Sequence, residues 1–384
     1  MAQDRERLTP AELERIYARR IKPDFLGDLA PSSSPTALLI GGQPGAGKSY
    51  ALAQARAQMA GAAGAAGAAV VLSGDELREY HPYWRANART DPLAAARTQN
   101  DAGKWYASLT NDAIAQRVNI AFETSMRRAD AVLALAGRLR GQGYAVVATI
   151  VAADKDQSRM ATATRFDVAR TTGDVPRFVP AAYHDDAYVR VRDTVGQLEA
   201  ARAVDVLRII TRNGAGVYRN DLKDGAWQRP AKAVELLDAA RERPLTAREL
   251  ADNALRWQTL VQRLANDPAV PRDVAAQVVA WRNDATARVE RDPDAKQLFA
   301  WGREAEAFRT MNHQQFLREF PHHEQVVNRF RQAVDHFESE YGKPVDRERA
   351  IADTRARLAE RIAEGRAGGK PLTQEKQRDD GRTR

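Results

Sequence analysis

Gly42-Gln43-Pro44-Gly45-Ala46-Gly47-Lys48-Ser49 carries the residue types and spacing of a phosphate-binding loop. Glycines at 42, 45 and 47 open backbone conformations closed to residues with a Cβ, so successive N–H groups can turn inward onto phosphate oxygens. Gln43, Pro44 and Ala46 complete the cradle. Lys48 supplies a point charge for β- and γ-phosphates, and Ser49 a hydroxyl for Mg²⁺. The chemistry is nucleoside triphosphate binding with stabilisation of charge on a transferring phosphoryl group. The acceptor stays open, because the same loop serves ATPases, GTPases and kinases of many substrates.

Two acidic positions could complete such a site. Asp75, in Ser73-Gly74-Asp75-Glu76-Leu77-Arg78, could take a proton from a substrate hydroxyl, help Ser49 hold Mg²⁺, or cap the following helix. Glu123, in Phe122-Glu123-Thr124-Ser125-Met126-Arg127, could bind the acceptor or order a metal-bound water. Thr124 and Ser125 offer hydroxyls to ligand oxygens or to the next helix. Further on, Arg159, Arg165, Arg170 and Arg177 are candidate cations for the phosphoryl group, since guanidinium stays charged and forks onto phosphate oxygens.

These residues need a scaffold that delivers them to one rim. Apolar runs at 37–40, 69–72, 118–122, 144–151 and 206–210 are short and nearly continuous, as buried parallel strands are. Helical periodicity between them, as at 129–140 and 156–170, predicts an open α/β sheet with helices on both faces. In that architecture ligands gather outside the carboxyl ends of the strands, where the loop, Asp75 and Glu123 all fall. A helix is expected over 50–59 after the loop, another over 10–21 with Thr9 as cap, and a hairpin at Asn213-Gly214. The alanine–glycine stretch 61–68 reads as a helix end and connector. Beyond Trp227 only helical patterns follow, at 246–267, 272–290, 323–341 and 346–364. The expected organisation is an N-terminal helical segment (1–30), an α/β domain (35–225), an all-helical C-terminal region (228–366) and a disordered tail (367–384). No fixed-period repeat is visible.

The chain has 384 residues, no cysteine and a formal charge of +8. The lack of cysteine rules out disulfides and thiolate metal sites and fits a reducing cytoplasm. Neither a secretory signal nor an apolar stretch long enough to span a bilayer is visible, so the expected location is cytoplasmic, without a membrane partner. The positive charge is scattered, not gathered in a basic run with aromatics. Anionic small molecules are therefore expected before nucleic acid. The arginines from Arg355 to Arg366 are interrupted by Glu360 and Glu364 and read as a solvated helix.

Taken together, Gly42–Ser49, Ser73-Gly74-Asp75-Glu76-Leu77-Arg78 with His81-Pro82, and Asn119-Ile120-Ala121-Phe122-Glu123-Thr124-Ser125 resemble the zeta toxin family of bacterial toxin–antitoxin kinases. Gly143-Tyr144, Thr164-Arg165-Phe166 and Val175-Pro176-Arg177 extend the resemblance over about Pro35 to Asn220. It implies a P-loop kinase-like fold and ATP/Mg²⁺-dependent phosphorylation of a nucleotide-activated amino sugar, UDP-N-acetylglucosamine, on the 3′-hydroxyl of the sugar. By matching motif positions it implies Asp75 as catalytic base, and Lys48 and Ser49 at nucleotide and metal. Glu123 and Thr124 would lie on the substrate side, with Arg165 and Arg177 as phosphate clamps. It also implies a small helical antitoxin as partner. Where the family often has glycine after the strand glutamate, this chain has Thr124, which could reshape the sugar pocket. Two other readings stay open: a kinase acting on NAD, an antibiotic or a nucleic-acid end, and a nucleotide-dependent interaction protein without turnover.

Overall fold

The apolar runs become the parallel part of a seven-stranded sheet in the order β2-β3-β1-β4-β5-β6-β7. The strands are β1 Thr36–Gly41, β2 Ala69–Leu72, β3 Asn119–Thr124, β4 Ala145–Ala152, β5 Val206–Thr211, β6 Gly216–Lys223 and β7 Ala226–Trp227. β1 runs parallel to β3 on one side and β4 on the other. β5 and β6 pair antiparallel across the Asn213-Gly214 turn, where Gly214 has φ +87°. This computed structural model describes residues 6–63, 68–90 and 94–365.

The chain divides into two compact units, Met1–Arg243 and Pro244–Arg384. In the first, side chains alternate across the sheet. Leu39, Ile120 and Phe122 face a core with Trp105 and Leu109 of α6 (Ala94–Ala115), Leu139 of α7 (Ala129–Gly141) and Val191 of α9 (Ala181–Ala200). Leu38, Ile40 and Ala121 face the other way, onto Ala51 and Leu52 of α3 (Lys48–Ala63). Each large aliphatic or aromatic side chain so buried contributes about 1.5–3 kcal/mol.

Several boundaries differ from the sequence pattern. Helix α3 begins at Lys48, not at residue 50, so the lysine lies in the first helical turn. The N-terminal helix does not stop at residue 21. It passes from α1 (Pro10–Ile16) through a π turn (Tyr17–Ile21) into α2 (Lys22–Leu26). It packs within the α/β core, where the Trp105 indole donates to the Leu13 carbonyl at 3.0 Å and the Tyr17 hydroxyl to Asp112 at 2.8 Å. At the other end the first unit runs past residue 228, because α10 (Ala233–Arg241) buries Ala233 and Leu237 in the same core. Half of the alanine–glycine connector (residues 64–67) and the whole segment 367–384 lie outside the described residues.

The second unit is helical: α11 Ala247–Ala265, α12 Arg272–Val289, α13 Pro293–Thr310, α14 His313–Glu319, a 3₁₀ turn Pro321–His323, α15 Glu324–Glu340 and α16 Pro344–Ala363. Thr246 and Glu249 cap α11 reciprocally. Trp257 and Trp281 meet at 5.7 Å between ring centres, and Phe308, Phe316 and Phe330 form a second cluster with Ile362. Among the described residues no helix is long and apolar enough to cross a membrane.

Candidate active site

β1 lies at the centre of the five parallel strands, with the chain reaching β3 and β2 on one side and β4 and β5 on the other. That reversal opens a crevice at the carboxyl end of β1, and Gly42–Ser49 stands there. Gly42, Gly45 and Gly47 all have positive φ, at +152°, +76° and +104°. Gly45 packs so closely on α8 (Lys155–Thr172) that a Cβ would collide with the Ser158 carbonyl. Gly41, the residue before the loop, lies against the Met126 thioether.

Lys48 folds back onto the loop, its Nζ donating to the carbonyls of Gly42 at 3.1 Å and Gln43 at 3.2 Å. Burial pushes its ammonium below the ordinary lysine pKa. Glu123 opposes that shift, Arg165 adds to it and Asp75 opposes it again. The charges of Glu123, Arg165 and Asp75 therefore all bear on Lys48. The Ser49 hydroxyl is exposed and makes no hydrogen bond among the described residues, which leaves it open to a cation.

Asp75 lies in the first turn of α4 (Gly74–Arg78). Ser73 takes the capping position, so the capping reading of Asp75 does not hold. The Asp75 carboxylate is held instead between two guanidinium groups: Arg78 on its own helix, and Arg177 at 3.1 Å. Arg177 also reaches Glu79 at 3.3 Å and stacks 4.6 Å from the centre of the Trp84 ring. Arg165 and Arg177 line one hollow with Asp75 and Arg89. The other two arginines lie elsewhere. Arg159 is buried and bound to Asp185 at 2.6 Å, and Arg170 stacks on Phe166. His81 is also structural: its ring accepts from the Tyr83 N–H at the start of α5 (Pro82–Asn87).

Glu123 pairs in register with Ile40 of β1, one residue before Gly41 leads into the loop. Strand alternation puts it on the face of Ala121, the α3 side, near Lys48. Thr124 is engaged locally, its hydroxyl accepting from the Met126 N–H at 3.1 Å across a turn where Met126 has φ +48°. Glu123, Thr124 and Ser125 border a cavity of about 860 Å³ that extends from Gly74 between α6 and α7 over Tyr106 and Phe122. Asp75 thus follows directly on a residue of this cavity and itself lines the arginine hollow.

Some relevant side chains carry no local sequence signal. Glu76 adjoins the acidic pair, and burial followed by Glu123 pushes its carboxyl above the usual glutamate value. Arg212, the residue after β5, donates to the Gly45 carbonyl at 2.7 Å. Gln43, counted with the phosphate cradle, turns its side chain inward. It donates to the Ala153 carbonyl at 3.0 Å and accepts from buried Arg241 of α10 at 3.0 Å. Arg241 stacks 4.3 Å from the Tyr188 ring centre, donates to the Tyr188 carbonyl at 2.8 Å and has an unpartnered Nε. It therefore holds the loop from behind. Arg241→Met should weaken nucleotide binding about tenfold, the loss of one charged hydrogen bond. Thermal stability should fall less than that, since removal of the buried cation's desolvation cost offsets part of the loss of a donor to the buried Gln43 oxygen. Nucleotide titration beside a melting curve separates the two. Parallel losses in both would make the arginine merely structural.

A phosphate loop at the turning point of a parallel sheet, beside a rim of carboxylates and guanidinium groups, defines a kinase-like nucleotide-binding fold. The family is specific: the Zeta toxin model matches residues 25–223, and the chain belongs to that family. It is 27% identical over 214 residues to toxin PezT of Streptococcus pneumoniae serotype 4, covering 55% of this chain and 81% of the relative. It is 25% identical over 194 residues to toxin zeta of Enterococcus hirae, covering 48% of this chain and 63% of the relative. The fold is similar to a solved chain from the PezAT chromosomal toxin–antitoxin system of S. pneumoniae, with a TM-score of 0.55 and 22% identity over 67% of this chain and all of the other.

Proposed function

We propose that this protein transfers the γ-phosphoryl group of ATP to a hydroxyl of a nucleotide-activated amino sugar, UDP-N-acetylglucosamine being the first candidate, and acts as the toxin of a toxin–antitoxin pair. The observation that supports the reading is that Glu123 and Asp75 both bear on the charge of Lys48, while a cavity of about 860 Å³ is bordered by Glu123 and by Gly74, the residue before Asp75. That volume suits a nucleotide sugar, and its polar rim of Glu123, Thr124 and Ser125 over an apolar floor suits a sugar on a flat base.

The triphosphate lies along Gly42–Ser49. The acceptor oxygen attacks the γ-phosphorus, its O–P bond forms as the β,γ-bridging P–O bond breaks, and ADP leaves. Asp75 takes the hydroxyl proton. Lys48 and Arg165 stabilise the spreading charge. Arg177 works chiefly by holding Asp75 at its angle. The Ser49 hydroxyl would hold Mg²⁺, which would neutralise phosphate charge; Asp75, already between two arginines, would be the weaker of the two metal ligands expected from sequence. The relatives' naming as toxins, one from a toxin–antitoxin system, supports a host that restrains this activity with a partner.

The test incubates purified protein with ATP, Mg²⁺ and, separately, UDP-N-acetylglucosamine, NAD, an aminoglycoside and an oligonucleotide, and looks for a mass gain of one phosphoryl group. Gain on the nucleotide sugar alone is expected. Lys48→Met should lower the rate about 100-fold or more. Gain on another acceptor would transfer the proposal to that substrate. Gain on none, with ATP bound, would replace it with a nucleotide-dependent interaction protein.

A further inference from the structure

The second unit carries a cluster that the phosphotransfer reading does not use. Glu304 projects from α13, and His322 and His323 lie in the 3₁₀ turn between α14 and α15. One carboxylate oxygen, Glu304 Oε2, lies 2.8 Å from His323 Nε2 and 3.4 Å from His322 Nε2. All three ligand atoms fall within 4.8 Å of one another, and among the described residues no other group of three such side chains converges in this way. We propose that Glu304, His322 and His323 bind a first-row divalent cation, zinc before the others, and so tie α13 to the α14–α15 turn.

The spacing fits. Metal–ligand bonds of about 2.0–2.2 Å at tetrahedral angles set neighbouring ligand atoms roughly 3.3–3.6 Å apart; the His322 contact at 3.4 Å already has that separation, and the His323 contact at 2.8 Å, a hydrogen bond, would lengthen as the cation replaced its proton. The rings are held. His323 is 6% exposed and stacks on Phe316 at 5.6 Å and 19°, while His322 sets its edge against Phe320 at 6.4 Å. The two imidazoles lie 4.2 Å apart although their residues are adjacent in sequence. His322 has a side chain 58% exposed, so it could direct both nitrogens to water, yet its Nε2 turns to the same oxygen as its neighbour's. Two imidazoles and one carboxylate suit zinc, cobalt or nickel. The absence of thiolate disfavours copper(I), and calcium and magnesium prefer all-oxygen sets. A water completes the fourth position.

The test uses the full chain, stripped by a chelator and dialysed. Zn²⁺ titrated against a colorimetric competitor should show one saturable equivalent, and Co²⁺ should give the visible absorption of a four-coordinate site. Zn²⁺ should raise the melting temperature of the wild type. Glu304→Gln and His323→Ala should abolish binding. His322→Ala, which alters an exposed side chain and leaves the core intact, should weaken it at least tenfold and remove the thermal shift. No saturable equivalent, or unchanged affinity and thermal shift in His322→Ala, would overturn the proposal. Phosphoryl transfer is not the readout, so either proposal can fail without the other.

Discussion

Asp75→Asn is expected to lower the rate of phosphoryl transfer by about 10²–10⁴, the range for removal of a positioned general base. The substitution keeps the size of the side chain and one oxygen for Arg177, but the amide cannot take the acceptor proton. The KM for ATP should change little, because the phosphates rest on Gly42–Ser49 and Lys48 rather than on Asp75. Stability should hold as well. The Asp75 side chain is 57% exposed, and ion pairs at that exposure contribute about 0–1 kcal/mol. Steady-state kinetics with ATP and the acceptor, beside a melting curve, would test this. Wild-type turnover would remove Asp75 from the chemistry. A loss confined to ATP affinity would move it to the nucleotide side.

Gly45→Ala should damage nucleotide binding through the backbone alone. Gly45 holds φ +76°, which costs a residue with a Cβ about 1–2 kcal/mol. The added methyl would also meet the Ser158 carbonyl, a backbone atom of α8 that no rotamer change can move. The loop must then leave α8 or change its dihedral angles, and either movement turns N–H groups away from the phosphates. At least a tenfold loss of ATP affinity is expected, with a lower melting temperature. Gly74→Ala is the control, since a Cβ there meets nothing within 4 Å. Equal ATP affinity in Gly45→Ala and wild type would show that this packing does not set the loop.

Much of the α/β unit is legible in sequence because its strands are buried on both faces and so appear as continuous apolar runs. β2 coincides with its run, and β1, β3, β4 and β5 depart from theirs by one or two residues. Glycine spacing marks the loop, and Asn213-Gly214 marks the hairpin. Helices that bury polar groups are harder to see. α6 encloses Thr98 and Asp101, and α9 encloses His184, Thr194 and Glu199. Inward polar residues blur the apolar stripe on which periodicity depends, and sequence singles out neither helix. α10 is not singled out either; it is only nine residues long and ends on the buried Arg241. α13 follows an Asp292-Pro293 start signal, but its inner face is largely alanine and glycine.

The site divides along the same line. Local sequence by itself determined the loop's backbone, the rim on which Asp75 and Glu123 stand, and the family, because glycine conformations and strand ends are encoded within a few residues. Only the tertiary structure decided which arginine meets which acid, that Gln43 turns inward, and that Glu304 faces two histidines. Arg177 meets Glu79 across 98 residues and Arg241 meets Gln43 across 198. Such pairings arise when helices pack, and no spacing along the chain records them.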